Sequence, residues 1–306
     1  AIVGAVVAGM GAWLKWSVSG LEHWEIKEAV LVWGFHLLLM MLLMLPWLQR
    51  RLSPATTASF YSDFYDKHWH NALTILTIFI SNGLFWLVLF LWAELFKLIG
   101  IQFFDRLFFQ SDWFISVAIG VVSASVAVLA RMQVRLMRAL QNLLTLIATG
   151  LLPLMAALAL LFIGALPVMG FEAISARISA AGLLTALALL LLFLVTIVWH
   201  PQRQTLPYYA LLNGMVRLAI AIVPAYPVLA GWALWLRISQ YGWSPERLYG
   251  VLITLVALVW AVGFCISVVF CRRQAQKLQA SVIPLTGLVA LILLILIHTP
   301  VLDPWR

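Results

Sequence analysis

The sequence predicts an all-α fold, a polytopic transmembrane bundle of about nine membrane-spanning helices, and three observations predict it. Of 306 residues, 64% are hydrophobic and only 10% are charged, whereas a soluble domain typically carries about 25% charged residues. The mean hydropathy is +1.05. The apolar residues fall in nine long runs separated by short charged segments. A transmembrane β-strand would be about 10 residues long and alternate polar with apolar, and these runs do neither. Roughly 20 apolar residues per helix suit a bilayer core about 30 Å thick, and an α-helix closes its own backbone hydrogen bonds in lipid.

The runs come in order as follows. Ala1–Trp13 is short for a crossing and starts without Met, so the chain reads as cut at its beginning. The segment Lys15–Glu28 mixes Trp, Leu and Ile with charges; a helix lying flat on the outer surface and an ordinary polar loop both account for it. Ala29–Leu48 carries His36, expected to hydrogen-bond within the bundle. Asn71–Ala93 holds Ser81 and Asn82, and Trp113–Ala130 and Leu143–Ala165 follow as nearly unbroken apolar stretches. Ala181–Trp199 stops at His200-Pro201, a helix terminus. Ala210–Leu236 contains Arg217 and then Pro224 and Pro227; Leu248–Phe270 and Val282–His298 complete the set. The chain stops at Arg306, just past the last run, which reads as a second cut. Residues 1–306 are therefore expected to form a single transmembrane domain, with a soluble C-terminal domain beyond.

Tryptophan fits the same frame. Trp13, Trp16, Trp24, Trp33, Trp47, Trp69, Trp92, Trp113, Trp199 and Trp243 fall near run ends, where an indole keeps its ring in hydrocarbon and its N–H in water. Basic residues set the expected orientation. Arg50, Arg51, Lys67, Arg131, Arg135, Arg138, Arg203, Arg272, Arg273 and Lys277 lie in one set of alternate loops with only Asp63 and Asp66 as acids. The opposite set holds Lys15, Lys27, Lys97, Arg106, Arg177, Arg237, Arg247 and Arg306, offset by nine acids. The positive-inside bias then places the loops after the second, fourth, sixth and eighth runs in the cytoplasm. It also accounts for the net charge of +8, so membrane lipids rather than nucleic acid are the expected partners. Cys265 and Cys271 are six apart on one helix and point to different faces, a spacing that does not suit a disulfide. No internal repeat is visible, and an odd number of spans does not divide into two inverted halves.

Candidate chemistry starts with Arg217. It lies about 12 Å along its helix from Tyr209 at 1.5 Å per residue, and an Arg near a bilayer centre costs at least ~2.5–3.5 kcal/mol on insertion scales. Tyr209, Asn213 and Arg217 are spaced i, i+4, i+8 and share one face. Pro224 and Pro227 remove backbone donors and should kink or unwind the helix beyond them, as in transporters that build a midplane site on a broken helix. Snorkelling to the surface, or a structural hub between helices, explains the same residues. Glu94 reaches the opposite interface, so the expected partner is Asn82 at a similar depth, giving a polar cluster of Asn82, Asn213 and Arg217 beside Tyr209.

The segment Tyr241-Gly242-Trp243-Ser244-Pro245-Glu246-Arg247 reads as a helix start: Gly242 permits the turn, Ser244 caps, Pro245 fits the first turn and Glu246 favours the positive helix end. Asp63, Asp66, His68 and His70 put two carboxylates and two imidazoles within eight residues. Such groups can hold a transition metal, although a solvated interfacial loop explains them as well. No nucleophile stands beside a base, Walker, Rossmann and His-Glu-x-x-His patterns are absent, and no cofactor is implied.

The run Arg237-Ile-Ser-Gln-Tyr241-Gly-Trp-Ser-Pro245-Glu-Arg247-Leu-Tyr249, followed by a long apolar helix, resembles a bacterial family of uncharacterised multi-pass membrane proteins, of the domain-of-unknown-function 4153 type. The ending Leu302-Asp303-Pro304-Trp305-Arg306 is similar to the point where that family's membrane region meets a polar C-terminal domain. The resemblance implies a bacterial inner-membrane location, a soluble domain beyond Arg306 and a protein partner reached through it. It implies no activity and no catalytic residue. Three functions follow from the residues. First stands a membrane anchor, sensor or scaffold for an envelope-facing domain, because intramembrane charge is scarce. A small-molecule or lipid transporter broken around Arg217 comes second, and an intramembrane enzyme acting on a lipid-linked substrate third.

Overall fold

The computed structural model describes residues 2–19, 23–52, 60–98, 101–169, 180–199, 206–269 and 275–299. The helices are α1 (Ile2–Ser17), α2 (His23–Leu52), α3 (Phe60–Leu98), α4 (Phe103–Phe109), α5 (Asp112–Met132), α6 (Val134–Met169), α7 (Ala180–Val198), α8 (Ala210–Ile222), α9 (Ala225–Tyr241), α10 (Pro245–Val269) and α11 (Ala275–Ile297). No strand occurs among the described residues, so the chain is an all-α membrane bundle. Among the described residues, each of the nine apolar runs is helical over most of its length. Among the described residues, seven helical segments are long and apolar enough to cross a membrane, with α8 and α9 together forming one of them. The first and last runs, as α1 (16 residues) and the apolar part of α11 (Ser281–Ile297), fall short of that length, which makes nine an approximate number of crossings.

Two expectations change. The charged stretch Asp63–His70 is the start of α3, not a loop. No Gly or Pro interrupts the chain there, and Asp63 sits in the first turn, where the helix dipole favours an acid. The 39 residues of α3 extend about 58 Å at 1.5 Å each, well beyond one bilayer core. Between the third and fourth runs stands α4, a seven-residue aromatic helix too short to show a period.

The chain divides into two compact units, Ala1–Phe64 with Thr145–Arg306, and Tyr65–Leu144. In the first, α10 is the hub, packing on α7, α8, α9 and α11, while α11 also packs on α2. Small residues allow the close approach: Ala188 of α7, Ala230 of α9 and Ala257 and Ala261 of α10 are fully buried. Lipid tails are as apolar as Leu, so helices in a bilayer associate through such close packing rather than through a hydrophobic drive. Thr185 and Thr254 add a buried hydroxyl pair at 3.1 Å between α7 and α10.

The second unit is held by rings and one polar link. Leu89, Ala93 and Phe108 form a core flanked by Phe85, Trp86, Phe104 and Phe114. At α3's other end, Leu73 packs with Ala130 and Met137. Asn82 Nδ2 donates to Ser123 Oγ at 3.1 Å, joining α3 to α5.

Candidate functional site

Of Tyr209, Asn213 and Arg217, which the sequence placed on one stripe, the structure joins the side chains of Asn213 and Arg217. Tyr209 stands at the N-cap of α8 with extended dihedrals and no side-chain cap bond; the residue is 88% exposed. Asn213 N–H donates to the Tyr209 carbonyl at 2.9 Å. One turn on, Arg217 Nε donates to Asn213 Oδ1 at 3.0 Å. That bond draws the guanidinium back toward the start of α8, the direction every helical Cα–Cβ bond favours. Arg217 is half-buried, and its remaining N–H groups meet no carboxylate among the described residues. Asn82 belongs to the other unit, where its amide nitrogen bonds the Ile78 carbonyl at 2.9 Å as well as Ser123.

Two tyrosines tie this stripe to α6. Tyr208 Oη donates to the Thr149 carbonyl at 2.8 Å, and Tyr226 Oη donates to the Ala159 carbonyl, fully buried. Neither tie has a signal in sequence, because nothing in the spacing of these residues pairs them.

The proline break is milder than the sequence suggests. Val223 (φ −54°, ψ −30°) and Pro224 (φ −62°, ψ −22°) both keep right-handed helical dihedrals. Tyr226 N–H bonds the Val223 carbonyl at 3.1 Å in a tightened turn, and Val228 N–H bonds the Pro224 carbonyl at 3.3 Å. Cys265 of α10 donates its thiol to the Ala221 carbonyl at 3.1 Å, tying the last turn of α8 to α10. Helix α8 therefore passes into α9 through a step, without an unwound stretch. Cys271 lies outside the described residues.

The turn between α9 and α10 is a small structural device. Gly242 closes α9 at φ 74°, ψ −172°, a region essentially confined to glycine. Arg247 reaches back and donates Nη1 to the carbonyls of Tyr241 at 3.2 Å and Gly242 at 2.6 Å, with its guanidinium 5.6 Å from the Tyr241 ring centre. Ser244 Oγ accepts Arg247 N–H at 3.4 Å, and Pro245 and Glu246 open α10. Tyr241, Gly242, Ser244, Pro245 and Arg247 are thus engaged in shaping the turn, while Trp243 is exposed.

At the start of α3, Asp63 accepts from Arg50 Nη1 at 3.5 Å, and the His70 carbonyl accepts Thr74 Oγ1 at 2.7 Å. Asp66 is exposed and His68 half-buried. Among the described residues no three His, Cys, Asp or Glu side chains stand together as a metal ligand set.

The hydrogen bond expected of His36 within the bundle is present, with a partner that nothing in the sequence pointed to. His36 Nδ1 and His298 Nε2 lie 3.0 Å apart, both buried, 262 residues apart in the chain. The Tyr249 ring is 5.6 Å from that of His36. The bond pins the end of α11 to α2, with α10 alongside.

The family model described as "Domain of unknown function (DUF4153)" matches residues 1–303. The chain belongs to this family, whose description assigns no role. No curated protein and no solved structure matches the chain.

Proposed function

We propose that this bundle is an anchor and scaffold in a bacterial inner membrane, holding an envelope-facing C-terminal domain at the end of α11. One observation carries the reading: the buried His36–His298 bond fixes the end of the last helix to α2. A helix end held this way transmits position to whatever follows it, whereas a frayed end would not. Two further observations support it. No Asp or Glu lies inside any of the nine apolar runs and only two histidines do, His36 and His298, which bond each other, while proton-coupled pumps use chains of protonatable groups within their spans. The step between α8 and α9 keeps helical dihedrals, so the transporter reading lacks the unwound segment that would line a path.

The test is a pair of fusions beyond Arg306 of the full chain. Alkaline phosphatase fused there is expected to be active and a fluorescent protein dark. The reverse pattern refutes the envelope-facing assignment. Solute uptake into proteoliposomes that depends on this protein would refute the scaffold reading.

A further inference from the structure

Arg217 is the only formally charged residue within the nine apolar runs, and the two tyrosine ties fix its depth. It lies nine residues after Tyr208 and nine before Tyr226, whose hydroxyls bond carbonyls of residues 149 and 159 of α6. Arg217 is therefore level with about residue 154, the middle of the apolar run Leu143–Ala165. Its bond to Asn213 carries the guanidinium one turn back, about 6 Å at 1.5 Å per residue. Half of a bilayer core is about 15 Å, so the charge stops roughly 9 Å short of the headgroups. Snorkelling alone does not discharge it, and no carboxylate lies within any run to pair with it.

With Nε held by Asn213 and no carboxylate on Arg217 among the described residues, the terminal nitrogens offer their donors to an outside acceptor. A guanidinium fork fits the paired oxygens of a phosphate. Exposed Tyr209, Leu211 and Leu218 on α8 offer apolar surface to an acyl chain beside it. We propose that Arg217, oriented by Asn213, is an intramembrane binding site for a phosphate oxyanion, brought by a phospholipid headgroup or as free phosphate. This inference stands without the scaffold reading and goes beyond it.

The test uses the full chain in a phosphate-free detergent, with binding followed by thermal stabilisation. The added probes are phosphatidylglycerol, diacylglycerol with the same tails, and inorganic phosphate. Phosphatidylglycerol is expected to stabilise the protein and diacylglycerol not to; Arg217→Gln should weaken that effect at least tenfold and Arg217→Lys less. Stabilisation by inorganic phosphate, lost in Arg217→Gln, supports the site with a soluble anion as its source. Should Arg217→Gln fail to fold, Asn213→Ala keeps the charge and is expected to weaken binding three- to tenfold. Equal stabilisation by diacylglycerol and phosphatidylglycerol, or binding untouched by both Arg217→Lys and Asn213→Ala, overturns the proposal.

Discussion

Replacing Gly263 with Ala tests whether close helix packing holds the α10–α11 pair. A Cβ built on Gly263 would meet Val282 Cγ2 at 2.7 Å and Val282 Cβ at 3.1 Å, whereas carbon atoms pack best at about 3.5–4.0 Å. Val282 cannot swing aside easily, because a β-branched side chain has one strongly preferred rotamer in a helix. Val282 Cγ1 overlaps more closely still, so the helices must part by roughly 1 Å to restore the lower end of that range. Overpacking of this kind typically costs about 1–3 kcal/mol. The same substitution at Gly120 on α5 meets nothing within 4 Å, and both variants gain about 1 kcal/mol of helix propensity. The difference between them isolates the clash: Gly263→Ala should unfold more easily than Gly120→Ala by about 1–3 kcal/mol. Unfolding in detergent, followed by intrinsic Trp fluorescence, measures it. In a Val282→Ala background the gap should shrink by more than half. Equal stability of the two glycine variants, or a gap indifferent to Val282, refutes the reasoning.

Three other substitutions probe the contacts described above. Gly242→Ala forces an L residue into a glycine-only conformation (φ 74°, ψ −172°) and should cost on the order of 1–3 kcal/mol in the same unfolding assay; an unshifted transition would show that the turn relaxes freely. His36→Phe leaves His298 buried without its imidazole partner, expected to cost about 1–3 kcal/mol, while the double variant with His298→Phe should recover much of the loss. Additive losses in that cycle would deny the coupling. Tyr226→Phe removes the hydroxyl that bonds the Ala159 carbonyl; about 0.5–1.5 kcal/mol is expected, and cleavage by added protease near α6 should rise accordingly.

The nine runs were legible because hydrocarbon imposes length and apolarity on every crossing, and both are visible in single sequence. The Asn213–Arg217 bond was legible too, since residues four apart on a helix are neighbours. Asp63–His70 was misread because polar composition suggests a loop, while the dipole and the absence of Gly or Pro let α3 begin earlier. Trp199 sits at a run end like the belt tryptophans, yet it is buried; position along a run does not say which face a neighbour covers. His36 and His298 could not be paired from sequence, because a bond across 262 residues leaves no spacing to read. The two tyrosine ties to α6 were hidden for the same reason: Tyr208 and Tyr226 choose carbonyls on another helix.

The two units resist perturbation by different means. In the first, Ala257, Ala261 and Phe264 are fully buried on α10, the helix that packs on α7, α8, α9 and α11, so added volume there is the disruptive change. In the Tyr65–Leu144 unit, α5 buries only Ala118 and Ala130, and little close packing exists to overfill. Its cohesion comes from the aromatic core around Phe108 and from the Asn82–Ser123 bond. A hydrogen bond between helices in lipid is worth about 0.6 kcal/mol on average, less than a buried aromatic side chain contributes. Removing volume, as in Phe108→Ala, is therefore the change that should loosen this unit most, whereas Ser123→Ala should be tolerated.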